Sequence, residues 1–151
     1  MQWMKQDLEQ FQQAKEYIDT LLIPLIPMDP SNEELMIKQA VQNELTQLFC
    51  REIENECKGR LLLTPLYTYL SGDEEGEAER LNRWISKFKS QPFQHVFLFT
   101  MDSKWKKYEK NVDADLIWVP AMGTSDLNST ATQSFVKEQV REITGLIQSY
   151  W

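Results

Sequence analysis

One short run constrains the chain more than any other: His95-Val96-Phe97-Leu98-Phe99-Thr100, four consecutive apolar residues between polar ones. A strand with one face in water alternates apolar with polar, so an unbroken run of this length suits a strand buried on both faces. Such a strand needs cover above and below. The remaining segments read as that cover and as further strands beside it.

Leu21-Leu22-Ile23-Pro24-Leu25-Ile26-Pro27 is too short and proline-broken for a helix, and predicts a strand cut at Pro24, where the backbone loses its donor. Arg60-Leu61-Leu62-Leu63-Thr64-Pro65 predicts a second strand, prolonged by the aromatic rim Leu66-Tyr67-Thr68-Tyr69-Leu70. Asp115-Leu116-Ile117-Trp118-Val119-Pro120 predicts the fourth. Helical periodicity fills the intervals. Met4, Leu8, Phe11 and Ile18 mark an amphipathic helix over about Trp3 to Asp19, with Lys15 interrupting the stripe. Ser31-Asn32-Glu33-Glu34 fits a capping box, with Ser31 as the cap of a long helix through Ile37, Val41, Leu45, Phe49 and Ile53 to a stop at Gly59. The acidic run Asp73 to Glu79 suits a third helix start, where the helix dipole favours carboxylates. That helix buries Leu81, Trp84, Ile85 and Phe88. Asp102 is placed to cap a short basic helix to about Glu109, and a closing helix presents Phe135, Val136, Val140, Ile143, Leu146, Ile147 and Tyr150.

Strands alternating with helices long enough to cross over predict a mostly parallel four-stranded sheet covered on both faces. The expected fold class is therefore α/β, a three-layer α/β/α sandwich in a Rossmann-like arrangement. With 151 residues, a 42% apolar content and no internal repeat, one domain spanning 1–151 is expected.

Right-handed crossovers would gather the strand C-termini on one edge, where such folds bind ligands. That edge would comprise Pro24-Leu25, Thr64-Pro65-Leu66-Tyr67, Thr100-Met101-Asp102 and Pro120-Ala121-Met122-Gly123. It is rigid, greasy and poor in reactive groups. The candidate ligand or partner residues are Pro24, Thr64, Tyr67, Thr100, Asp102, Met122, Gly123 and Ser125, with Asp126 beside them.

Several chemistries are disfavoured. The five glycines form neither a Walker loop nor a dinucleotide fingerprint, so no nucleotide cofactor is expected. His95 opens its strand and lies away from the edge, which separates it from any Ser or Cys nucleophile. Cys50 and Cys57, seven apart on one helix, are about 10 Å apart along the axis, too far for a disulfide, and with one histidine in the chain a zinc site lacks ligands. No catalytic residue and no metal site are assigned. A net charge of −7 repels a phosphate backbone, and no apolar run reaches the roughly 18 residues of a membrane span. The expectation is a cytoplasmic protein that binds a protein partner or small ligand and not nucleic acid. Trp3, Trp105, Tyr150 and Trp151 are candidates for a homodimer seam. The alternative is an enzyme on an anionic or phosphorylated metabolite, with Asp102 as acid/base and the Gly123–Ser129 loop holding the anion.

At Ala14-Lys15-Glu16-Tyr17-Ile18-Asp19-Thr20, running into Ile23-Pro24-Leu25-Ile26-Pro27, the chain resembles the YpiF-like family of small uncharacterised proteins from Bacillus-type bacteria. The resemblance implies a cytosolic bacterial protein and transfers no catalytic residue.

Overall fold

A computed structural model describes residues 1–122 and 126–151. Gly123 and Ser125, two of the candidate edge residues, lie outside the described residues. Strands and helices alternate along the chain: α1 (Lys5–Gln13), β1 (Thr20–Met28), α2 (Glu33–Glu56), β2 (Leu61–Leu63), β3 (Tyr67–Leu70), α3 (Glu74–Phe88), β4 (His95–Thr100), β5 (Asp115–Trp118) and α4 (Thr130–Ser149). A 3-10 turn at Lys15–Tyr17 precedes β1, and a 3-10 segment at Ser103–Asn111 joins β4 to β5.

Every ladder is parallel. β1 pairs β4 along one edge, and β4 pairs β5 outside it. The other edge of β1 is shared by β2 and β3 in succession, with Leu22 opposite Leu63 and Leu25 opposite Tyr67. The fourfold sheet expected from sequence is thus built from five strands, because Thr64-Pro65-Leu66 leaves the ladder and Tyr67 rejoins it one residue out of step. Both β1 and β4 are interior.

β1 does not end at Pro24; it continues to Met28 through two prolines. The ladder explains how. Thr20 N–H donates to Arg60 O (3.2 Å) and Leu22 O accepts from Thr64 N–H (3.0 Å), so even-numbered β1 residues direct their backbone polar groups toward β2. By strand alternation Pro24 faces the stretch where Thr64–Leu66 has left the ladder, and Pro27 faces β4 beyond the last pair, Pro24 with Phe99. Neither proline breaks a bond that the sheet would otherwise make.

Alternation sorts the side chains into two cores. Leu22, Phe97, Phe99 and Ile117 meet α2 and α4 through Leu45, Phe49, Ile53, Val136, Val140 and Ile143. Leu21, Ile23, Leu25, Val96 and Leu98 meet α1, α3 and the 3-10 segment through Phe11, Leu81, Ile85 and Trp105. Cys50 and Cys57 are free thiols inside the first core, and burial raises both above an ordinary cysteine, Cys57 to about 11.

Three helical expectations need correction. α1 stops at Gln13, where Ala14 takes a non-helical φ of −127°, and the interruption at Lys15 becomes a 3-10 turn. Asn32, not Ser31, caps α2, its side chain accepting from Leu35 N–H at 3.0 Å; Ser31 is held instead by Asp29. Leu146 points outward at 49% exposure, while Thr132 and Thr144 occupy the buried face of α4. Leu22→Ala should therefore lower unfolding free energy by about 3 kcal/mol, whereas Leu146→Ala should change it by less than about 0.5 kcal/mol, both read from urea denaturation midpoints.

Candidate functional site

The strand order places β2 and β3 on one side of β1 and β4 on the other, so consecutive connections diverge between the C-terminal ends of β1 and β4. Doubly wound sheets bind ligands at that divergence. Here polar side chains already bridge it. Tyr69 donates its hydroxyl to Asp102 Oδ2 at 2.7 Å and accepts from Trp105 Nε1 at 2.7 Å. The other Asp102 oxygen accepts from Lys104 N–H at 3.0 Å, capping the 3-10 segment, and Asp102 N–H donates to Thr100 Oγ1 at 3.0 Å. Burial foremost, then the Asp102 charge, pushes the Tyr69 hydroxyl far above an ordinary phenol.

The remaining sequence candidates are similarly engaged. Pro24 is buried within β1. Thr64 is buried, with its hydroxyl donating to Pro65 O at 2.8 Å. Tyr67 is fully buried and donates to Glu77 Oε2 at 2.7 Å; Arg80 binds the same oxygen at 2.7 Å and lies 4.4 Å from the Tyr67 ring centre. Met122 is partly buried against the α2–α4 core. The structure brings Thr100 and Asp102 together, joined by Tyr69, and places Thr64 and Tyr67 in the separate break between β2 and β3. The N-terminus of α4 is an ordinary cap, with Ser129 Oγ accepting from Thr132 N–H at 3.1 Å.

Beside exposed polar residues such as Thr68 and Lys104, the edge exposes apolar ones. Met28 and Leu70, the last register pair of β1 and β3, are 45% and 60% exposed on strands otherwise buried or alternately buried. Met36, also exposed, stands one helical turn before Gln39 on α2. Gln39 fixes the rim: its Oε1 accepts from Asp29 N–H at 2.7 Å and its Nε2 donates to Ser71 Oγ at 3.0 Å. A strand ended at Pro24 leaves out Met28, and a rim Leu66-Tyr67-Thr68-Tyr69-Leu70 taken as a unit does not separate Leu70 from the tyrosines. The alternation Tyr67-Thr68-Tyr69-Leu70 is the signal that separates them: with the tyrosines inward, Leu70 is outward.

A family model described as a protein of unknown function, DUF2487, matches residues 9–151. The chain belongs to the DUF2487 family. A relative from Bacillus subtilis (strain 168), described as "Uncharacterized protein YpiF", is 31% identical over 154 residues, covering all of this chain and 98% of that protein. The DUF2487 chain therefore matches that relative end to end, as the YpiF-like resemblance implied. Among the described residues no helix is long and apolar enough to cross a membrane, and no group of three or more His, Cys, Asp or Glu side chains is placed to hold a metal.

The opposite sheet edge carries a second polar group in this DUF2487 chain. Arg60 makes paired bonds to Asp19 at 3.0 and 2.9 Å and stacks 4.4 Å from the Trp151 ring; Trp151 Nε1 donates to Thr20 Oγ1 (2.8 Å), which donates to Asp19 (2.9 Å). His95 lies here, 6.0 Å from the Tyr150 ring, away from the strand C-termini. Of the aromatic residues suggested for a dimer seam, Trp105 is fully buried and Trp151 is engaged by Arg60.

Burial alone would raise the Asp19 carboxyl, but hydrogen bonds from Arg60 and Thr20 and the Arg60 charge hold it below the usual range. A depressed carboxyl stabilises the fold above its unfolded-state pKa, and that stabilisation is lost as pH falls through the folded value. Asp19→Asn should thus lower stability at pH 7 and flatten its decline below about pH 4, followed as thermal midpoint against pH. Tyr69→Phe leaves the Trp105 donor and one Asp102 oxygen without their partner and should cost about 1–3 kcal/mol in urea unfolding.

Proposed function

We propose that this protein is a non-catalytic interaction module that uses the C-terminal edge of its sheet to hold an apolar segment of a protein partner. One observation carries the reading: Met28 and Leu70 stand side by side in register, largely uncovered, at the end of strands whose other apolar side chains are buried. A rim of this kind gains free energy by losing water from apolar surface, at about 25 cal/mol per Å². Gln39 holds it by bonds to both strand ends, so little ordering cost accompanies contact. The engagement of Asp102 by the Tyr69 hydroxyl and by Lys104 N–H, as cap of the 3-10 segment, supports the same view by giving that carboxylate a structural task. A reading as an enzyme on an anionic metabolite draws on the same fold but on no free reactive group at the described edge.

Affinity capture with the whole chain, compared against Met28→Ser/Leu70→Ser, tests the proposal. A polypeptide held by the native chain should bind the double variant about tenfold or more weakly. Equal capture by both, or a thermal-shift response to nucleotides, sugar phosphates or other small anions in place of a protein partner, would overturn it.

A further inference from the structure

A concavity with a volume of about 1280 Å³ lies away from the sheet edge, between α2 and α4. α2 lines it with Glu44, Glu52 and Glu56 beside Arg51, and α4 with Lys137 and Arg141. One wall is thus acidic and the other basic. All six side chains are exposed, and among the described residues no ion pair crosses the groove. At its floor Thr144, only 7% exposed, has a hydroxyl with no hydrogen-bond partner, and nothing stands within 4 Å of where a Cβ on neighbouring Gly145 would project. The groove therefore has room for an inserted side chain beside Gly145.

The two helices run the same way. α2 leaves the C-terminal end of β1 and finishes where β2 begins; α4 starts beyond β5 and ends with Tyr150 5.1 Å from the Phe97 ring, near the start of β4. Glu52 and Glu56 are one turn apart, as are Lys137 and Arg141, so each wall repeats its charge at about 6 Å. A two-fold axis along such a groove preserves height and exchanges walls.

We propose that two copies of this chain associate through the α2–α4 groove, each acidic α2 wall lying on the basic α4 wall of the other. The carboxylates of the partner's α2 wall then lie against the Lys137 and Arg141 cations of α4. A perpendicular axis would set like charge on like and is disfavoured. The 20 residues of α4 give a face about 30 Å long and, with α2, about 20 Å wide, roughly 600 Å² per copy against about 800 Å² in a standard complex. Polar composition and modest area make this a salt-sensitive, reversible dimer.

Sedimentation velocity on the whole chain over about 1–200 μM should show concentration-dependent dimerisation, with the dissociation constant rising about tenfold or more as salt goes from about 0.1 to 1 M. Lys137→Glu/Arg141→Glu should be monomeric, and so should Glu52→Lys/Glu56→Lys, because each alone makes both symmetric contacts repulsive. An equimolar mixture of the two should recover the dimer, since every contact becomes complementary again. Circular dichroism and thermal midpoints verify that these exposed-site variants fold; should either fail, the single reversals Arg141→Glu and Glu52→Lys replace it. A native chain that stays monomeric throughout, a dimer indifferent to both reversals, or folded variants that do not complement on mixing would each overturn the proposal. Capture of a different protein in the groove by a monomeric chain would overturn it as well.

Discussion

The fold depends on how completely β1 is enclosed. It is paired on both edges, and from Thr20 to Pro27 every residue is buried, so the strand has no side on which an error goes unnoticed. A slip of one residue would exchange Leu22 with Leu21 and Ile23 between the two cores. It would also turn Pro24 toward β4, where a donor is required. The two prolines, which look like strand breakers, therefore act as register marks: each is tolerated only where its neighbour has left the ladder. The break at Thr64–Leu66 and the proline opposite it are two halves of one arrangement.

The layered architecture was legible because it rests on period and length, which a sequence displays directly. The run at His95–Thr100, the periodicity of the long helix and the cap at Asp102 all appear as local patterns with a physical cause, although that helix stops at Glu56, three residues short of Gly59. Strand limits at prolines were not legible, because whether a missing donor matters depends on a neighbour distant in the chain. The same holds for Leu146. Its spacing fits the apolar stripe of α4, yet Thr144, two residues earlier and nearly on the opposite side of the helix, takes the buried face, a matter of how the helix rotates against the sheet.

The candidate site was legible as a place and not as a set of side chains. Parallel strands and right-handed crossings locate an edge. Which side chains face outward there follows from tertiary hydrogen bonding. Tyr67 and Tyr69, prominent in the sequence, turn inward because Glu77, Asp102 and Trp105 supply partners for their hydroxyls. Met28 and Leu70, the last register pair of β1 and β3, remain outside. On β3 the tyrosines and Leu70 differ in the face of the strand they take, which alternation carries and a list of residue types does not reveal.

The position of β1 in the chain has a consequence for synthesis. The most enclosed strand is also the first to be made, and its partners arrive much later: Leu61 meets Thr20 across about 40 residues and His95 meets the same threonine across about 75. Until β4 leaves the ribosome, the sticky segment Leu21–Ile26 has one flank unsheathed. A nascent chain of this design spends seconds with its future centre open at the roughly 5–20 residues per second of translation, an interval in which exposed apolar surface is prone to aggregate.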